Sequence, residues 1–282
     1  MSKICIVTDS TADLTPAQAE ALGVTVRPLS VVFGDKVYLD GIDIRPETFY
    51  SMLASSNILP TTSQPSPGEF VELYERLFAS GCDTIISIHL SAGLSGTSQA
   101  AKQAAEHLGK DIRIVDSRSI SVGVGVQVMA AAEAVKAGKS VEGVLEAIEV
   151  SRKNHEVLFT LNTLEYLAKG GRIGKAKSLL GSLLNIKPII RVDDGVYVDA
   201  GKARSQKQAL DQIVQIFSDL SRGRKIKRIA VAVGAATEAG LMLKDKLAAE
   251  FGVEPAFSHV GPVVGVHTGP GTIGAAIEFI PN

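Results

Sequence analysis

Short apolar runs alternate with amphipathic or small-residue segments along the chain up to about position 154. Lys3 to Thr8 reads as a strand that delivers Asp9-Ser10-Thr11 at its carboxyl end, and Thr15 with Pro16 opens a helix that Gly23 closes. Val24 to Ile44 reads as strands broken by the turn Gly34-Asp35, and Arg45-Pro46 begins a short helix to about Ser55. In the polar stretch Pro60 to Glu69, Ser66 suits an N-cap, Pro67 the first helical position and Glu69 the capping-box position. Thr61, Thr62, Ser63 and Gln64 are left as a run of donors just upstream. The helix Phe70 to Ala79 then leads into the β-branched run Thr84 to Leu90, which ends abruptly in Ser91-Ala92-Gly93-Leu94-Ser95-Gly96-Thr97 before an Ala-rich helix, Gln99 to Leu108. A strand, Ser/Gly loop and helix start aim backbone N–H groups and the positive dipole end at one point, where a carboxylate or phosphate can bind without Lys or Arg. Equally open is the reading that Ser95 merely caps the helix and the glycines turn the chain. Asp9 has the same two faces: it orients a ligand, or it accepts backbone N–H bonds in its turn.

Ile112 to Val115 is the next strand. Val122 to Ala137 is small and apolar all round, as for a buried helix, and Ser140 caps a helix reaching roughly Asn154. This alternation predicts a doubly wound, Rossmann-like three-layer domain with a parallel sheet over residues 1–155. The pattern then changes. Val157 to Leu161 reads as a strand and Thr163 to Lys169 as a short helix; Ile189 to Val198 reads as a β-hairpin turning at Asp194-Gly195. Ser205 and Gln208 form a capping box for a helix to about Leu220; Ile226 to Val233 is a strand, Thr237 to Phe251 a helix, and two strand-like runs end the chain. A hairpin among βαβ units predicts a second α/β domain with a mixed sheet over residues 156–282.

Composition adds constraints. The 282 residues are 45% hydrophobic but only 5% aromatic, with no Trp, so Ala, Val, Ile and Leu build the core, as fully buried parallel strands require. A formal net charge of −1 gives no electrostatic case for nucleic acid or an anionic membrane surface. The mean hydropathy of +0.20 fits either a ligand cavity or a buried sheet. Cys5 and Cys82 read as small buried hydrophobes, with no disulfide framework and no metal-ligand spacing. The amino terminus has no signal-peptide pattern and no apolar run approaches a membrane span, so the expectation is a cytoplasmic protein and not an integral membrane protein.

Nucleotide motifs fail on inspection. Gly269-Pro-Gly271-Thr-Ile-Gly274 matches a dinucleotide fingerprint formally but leads into a strand, and Gly138-Lys139-Ser140 lacks the upstream Gly of a P-loop, with Glu133 in its place. Gly93-Leu-Ser95-Gly-Thr97 is near a nucleophile elbow with its second Gly misplaced; Ser95 as a nucleophile needs a base, for which His267 is the best candidate and the in-strand His89 a structural residue.

Five segments taken together resemble one family: Val7-Thr-Asp-Ser-Thr-Ala-Asp-Leu14, Thr62-Ser-Gln-Pro-Ser66, Leu90-Ser-Ala-Gly-Leu-Ser-Gly-Thr97, Leu164 to Ile173 with its Lys169-Gly-Gly-Arg172, and His267-Thr-Gly-Pro-Gly271. In this order they are similar to the DegV family, the fatty-acid-binding subunits of bacterial fatty acid kinase. The resemblance implies two α/β domains related to the dihydroxyacetone kinase architecture, with an acyl chain buried between or within them. It implies that Thr62 and Ser95 hold the carboxylate, that His267 lies beside the same head group, and that Arg172 and Arg204 contact the kinase partner or the phosphorylated head group. Arg172 also reads simply as a helix-end charge. No cofactor is implied; the ligand is a long-chain fatty acid and the partner a separate fatty acid kinase catalytic subunit. The helix Val122 to Ala137 and the run Leu179-Leu180, Leu183-Leu184 are candidate walls of the acyl pocket. Two other classes stay open: an acyl hydrolase using Ser95 and His267, and a lipid-binding regulatory protein that serves no kinase.

Overall fold

The computed structural model describes residues 3–179 and 186–281. In chain order the first part contains β1 (Ile4–Asp9), α1 (Pro16–Leu22), β2 (Val24–Arg27), β3 (Ser30–Phe33), β4 (Lys36–Leu39), α2 (Pro46–Ser55), β5 (Thr61–Ser63), α3 (Pro67–Ala79), β6 (Thr84–His89), α4 (Thr97–Leu108), β7 (Ile112–Asp116), α5 (Val122–Lys136) and α6 (Val141–Lys153). Strands β2-β1-β6-β7 form a four-stranded, wholly parallel sheet. Its strands are apolar runs because both faces are covered: α3 and α4 bring Phe70, Leu73, Tyr74 and Ala101 to one side, and α5 brings Val124, Val126 and Val128 to the other. The expected capping box forms at Ser66 with Glu69, and Thr15 opens α1 as expected, in a second box with Gln18. Strands β4-β3-β5 make a small antiparallel sheet that carries Thr62.

The second part contains β8 (His155–Thr160), α7 (Glu165–Lys169), β9 (Lys187–Asp193), β10 (Val196–Ala203), α8 (Gln206–Leu220), β11 (Ile226–Gly234), α9 (Thr237–Phe251), β12 (Ala256–His259), α10 (Pro262–Thr268) and β13 (Thr272–Phe279). The sheet order is β10-β9-β8-β13-β11-β12, with β11 and β12 parallel and the other pairs antiparallel, which is the mixed sheet expected. Helices α8 and α9 cover one face through Leu210, Ile213, Phe217, Leu243 and Leu247. The other face meets α5. One core cluster therefore runs from Ile6 and Ile86 through α5 to Phe159, Ile190 and Ala276, so α5 is shared between the two sheets.

Two features depart from the sequence expectation. The segment between the last two strands is a helix, α10, which starts at Gly261-Pro262 with Pro at its first position. Seven residues that are almost all apolar give no periodicity by which to tell helix from strand. Cys5 and Cys82 are not separate hydrophobes but a disulfide, with Cα atoms 5.9 Å apart. Only the parallel pairing of β1 with β6 brings them together, so their spacing of 77 positions carried no hint of it. Of the proposed leucine wall, Leu179 is buried in the core shared with α5, whereas Leu180, Leu183 and Leu184 lie outside the described residues. Among the described residues no helix is long and apolar enough to cross a membrane.

The disulfide closes a long loop, and such a cross-link stabilises by roughly 2–4 kcal/mol. Cys82→Ser is expected to lower the melting temperature of the oxidised protein by several degrees. A calorimetric scan of both proteins with and without reductant checks this, since a reductant-insensitive difference would assign the loss to packing.

Candidate functional site

One strand, two loops and one helix converge on a cavity of about 260 Å³. Strand β5 contributes Thr62, the loop between β6 and α4 contributes Ser95, the segment after α7 contributes Arg172, and α10 contributes His267. Thr62 Oγ1 and His267 Nε2, 205 positions apart, are 2.9 Å from each other. The other ring nitrogen, Nδ1, is buried and has no hydrogen-bond partner among the described residues. Gly170 allows this arrangement, because a Cβ there would stand 2.3 Å from Nδ1.

Burial, with a smaller contribution from the Arg172 guanidinium, pushes the His267 pKa down to about 4. The imidazole is therefore neutral at physiological pH, and the cavity's positive charge belongs to Arg172. A histidine held neutral favours the folded state in full above its ordinary 6.5, and that contribution is lost as pH falls towards about 4. Arg172 is exposed at the mouth; its Nη1 donates to Gly170 O at 2.7 Å and its Nε to Leu94 O at 3.3 Å. These two bonds fix the guanidinium plane and leave Nη2 for an incoming group.

Ser95 is not the N-cap of α4; Gly96 is, with no side-chain cap. Ser95 Oγ instead accepts the Thr97 N–H at 3.3 Å and lies 2.9 Å from Thr97 Oγ1. Gly96 lets the Gln64 amide lie over the helix start, since a Cβ there would be 2.5 Å from Oε1. The amino end of a 12-residue helix thus opens beside Ser95, Gln64 and the Thr62–His267 pair. Ser95 makes no bond to His267, whose Nε2 is engaged with Thr62, so the nucleophile–base pair of a hydrolase is not assembled.

Arg204 lies elsewhere. It is exposed just before α8, where its backbone N–H donates to Gln208 Oε1, and it is not among the residues lining the cavity. That bond also replaces the expected return bond to Ser205, whose Oγ accepts the Gln208 N–H. Asp9 takes its structural reading: fully buried, it accepts from Thr11 N, Thr11 Oγ1 and Leu90 N and contacts His89 Nδ1 at 2.9 Å. His89 is likewise buried in the strand.

Sequence reasoning missed the residues that join the halves. Ser91 Oγ donates to Gly195 O at 2.7 Å, docking the β9–β10 turn onto the Ser/Gly loop, and Gly195 fits because its Cβ would stand 2.3 Å from that oxygen. Tyr197, Ile120 and Val264 line this cavity and also a second, almost wholly apolar one of about 30 Å³ that continues towards Val157, Phe159 and Ala232. No local signal marks such residues, because each is an ordinary core residue of its own element. Among the described residues no cluster of three metal-ligating side chains occurs.

Proteins of similar sequence and fold have been solved. A DegV family protein from Thermus thermophilus, described as binding fatty acid, is 38% identical and superposes with a TM-score of 0.93 over 99% of this chain and all of its own. DegV of Bacillus subtilis, described as a fatty acid binding protein, is 35% identical with a TM-score of 0.90 over the same shares. A stearic acid-binding protein from Eubacterium ventriosum is 26% identical with a TM-score of 0.89, covering 99% of this chain and 98% of its own. Among sequence relatives, a DegV domain-containing protein of Deinococcus radiodurans is 38% identical over 280 residues, 98% of each chain. The family model described as an uncharacterised protein family, DegV, matches residues 3–279. With that pattern running through both sheets and every loop of the cavity, this chain belongs to the DegV family.

Proposed function

We propose that this protein binds a long-chain fatty acid, with the carboxylate among Thr62, Ser95 and His267 and the tail in the apolar slot beside α5, and presents it to a separate ATP-dependent fatty acid kinase. The observation that carries the reading is the Thr62–His267 pair, 2.9 Å apart on a polar cavity whose inner wall, Ile120, Tyr197 and Val264, is also the wall of an apolar one. The solved relatives described as fatty acid binding support the ligand class.

The physics is consistent at both ends of the ligand. A neutral imidazole, hydroxyls and a helix amino end hold a carboxylate without burying a matched cation, so one oxygen stays nucleophilic. At about 30 Å³ the apolar slot holds about one water, so a tail entering it must part the three shared side chains. Each buried CH₂ contributes roughly 0.8 kcal/mol, so a dozen supply on the order of 10 kcal/mol before ordering costs. In the transfer step a carboxylate oxygen attacks the γ-phosphorus of ATP, the bond to the β,γ-bridging oxygen breaks, and ADP leaves an acyl phosphate on this protein. Arg172 at the mouth faces the transferring group, and Arg204 on the surface is available to the partner protein.

Mass spectrometry of lipid extracted from the purified protein tests the ligand class: a stoichiometric long-chain fatty acid is expected, and protein that is lipid-free and cannot be loaded would overturn the reading. Ser95→Ala is expected to weaken fatty-acid binding roughly tenfold, the value of a hydrogen bond to a charged acceptor, with the fold intact. Titration calorimetry beside a thermal melt separates this from a capping role, which would lower stability and leave affinity alone.

A further inference from the structure

Helix α10 is the wall that both cavities share: Val263, Val264 and His267 line the head cavity, and Val264 with Thr268 lines the apolar one. Its amino end has no capping side chain of its own, because the N-cap residue is Gly261. Two carboxyls from distant segments occupy that place. Asp13 Oδ1 accepts the Gly261 N–H at 2.8 Å, and Asp40 Oδ2 accepts the Val263 N–H at 3.4 Å. A Cβ on Gly261 would lie 3.0 Å from Asp13 Oδ1 and 3.3 Å and 3.4 Å from the two Asp40 oxygens, so both carboxyls converge on one point that only a glycine leaves free.

Each carboxyl also reaches back to the cavity walls. Ser121 Oγ donates to Asp13 Oδ2, and Ser121, held at φ 55°, lines the apolar cavity beside Ile120. Ser10 Oγ donates to Asp40 Oδ2 at 2.9 Å and accepts the N–H of Leu29, a head-cavity residue, at 3.1 Å. Wall segments from two other parts of the chain, at Leu29 and at Ile120-Ser121, and α10 itself are thus tied to this pair. The titratable groups facing it are Asp9, which is bonded to His89, together with Tyr50 of α2 and Tyr197 of β10; His267 and Arg172 stand at the far end of α10. Among the described residues no Lys or Arg pairs with either carboxyl.

We propose that Asp13 and Asp40 are positioning residues for the fatty-acid site, an acid pair that sets α10 and the cavity walls in register and makes their fit depend on its charge. This rests on the fatty-acid reading above. Burial pushes Asp13 up to about 8 and Asp40 to about 7, against the pull of their hydroxyl and N–H donors. Since both lie above the ordinary 3.8, the stabilising contribution is complete at acid pH and is lost as pH rises through about 7 to 8. In the same window His267 stays neutral and an unperturbed carboxylate ligand stays charged. Two buried like charges loosen the cap, and they repel the ligand's carboxylate as well.

The test is the affinity of the full chain for cis-parinaric acid, a fluorescent polyene fatty acid, between pH 6 and pH 9. Wild-type affinity is expected to weaken by roughly tenfold across that range. Asp40→Asn and Asp13→Asn keep an acceptor oxygen and remove the titration, so each is expected to flatten the profile, whatever it does to melting temperature. Constant wild-type affinity while circular dichroism stays native overturns the proposal without any variant, as do Asn variants that both keep the wild-type slope. Wild-type protein that binds no parinarate at any pH refutes the fatty-acid reading itself.

Discussion

Gly170→Ala is expected to remove most fatty-acid binding, although Gly170 makes no contact a ligand would replace. Its backbone, at φ −75° and ψ −7°, suits alanine well, so no conformational penalty enters. The whole effect comes from the added methyl, which would stand 2.3 Å from His267 Nδ1 and 3.1 Å from both His267 Cε1 and Tyr166 O. Helix α10 has no room to recoil: a Cβ on Gly265 would already be 2.6 Å from Tyr50 Oη, and one on Gly269 would be 2.3 Å from the Tyr166 ring. The imidazole must therefore swing, and its 2.9 Å contact with Thr62 breaks. Overpacking costs about 1–3 kcal/mol of stability. Losing a hydrogen bond to a charged head group costs about 1.5–3 kcal/mol, or one to two orders of magnitude in affinity. Parinarate titration of Gly170→Ala beside Gly68→Ala checks it, since a Cβ at Gly68 meets nothing closer than 3.9 Å. Equal affinities in the two variants would show that the ring position does not matter.

What could be read from the chain follows the reach of each signal. Caps, turns and periodicity are local, and they placed Ser66 with Glu69, Thr15 and Pro16 at the start of α1, the Asp194-Gly195 hairpin and the small, apolar α5 correctly. The parallel sheet was legible because apolar strands alternate with amphipathic helices, a pattern that only two covered faces explain. The disulfide and α10 were not, the first because it depends on β1 pairing with β6, the second because a short, mostly apolar run lacks a readable period. Physical reading alone reached Thr62 and Ser95 as unassigned hydroxyls on loops flanking α3. Motif reading paired Ser95 with His267 only as a nucleophile and its base; it was the family resemblance that set Thr62, Ser95 and His267 around one carboxylate and added Arg172. Asp13 and Asp40 escaped notice altogether, since a carboxyl in a turn looks the same whether it meets water or the amino end of a buried helix.

Arg172→Ala is expected to leave fatty-acid affinity within about threefold of wild type while cutting acyl-phosphate formation by the partner kinase by roughly 100-fold or more. The side chain is exposed at the mouth, with Nη1 and Nε occupied by the carbonyls of Gly170 and Leu94, so it is held in place before any ligand arrives. A guanidinium fixed in this way meets charge that develops on a transferring phosphoryl group without reorganising, which is where one pre-set donor contributes most. Its effect on the carboxylate at rest is weaker, because exposure to solvent screens the charge. Truncation also removes the cation that helps to depress His267, so the imidazole pKa should rise from about 4. NMR titration of the His267 ring, read beside an unchanged melting temperature, reports this loss of charge, because burial is the larger cause of the depression and a folding defect that exposed the ring would raise the pKa as well. The decisive measurement sets fatty-acid affinity beside acyl-phosphate yield in a reconstituted mixture with kinase and ATP. Parallel losses would place Arg172 on the carboxylate itself, since breaking a buried pair costs binding first. No loss in either would make it a helix-end charge following α7, with its two carbonyl contacts serving only to pin the Gly170-Gly171 turn.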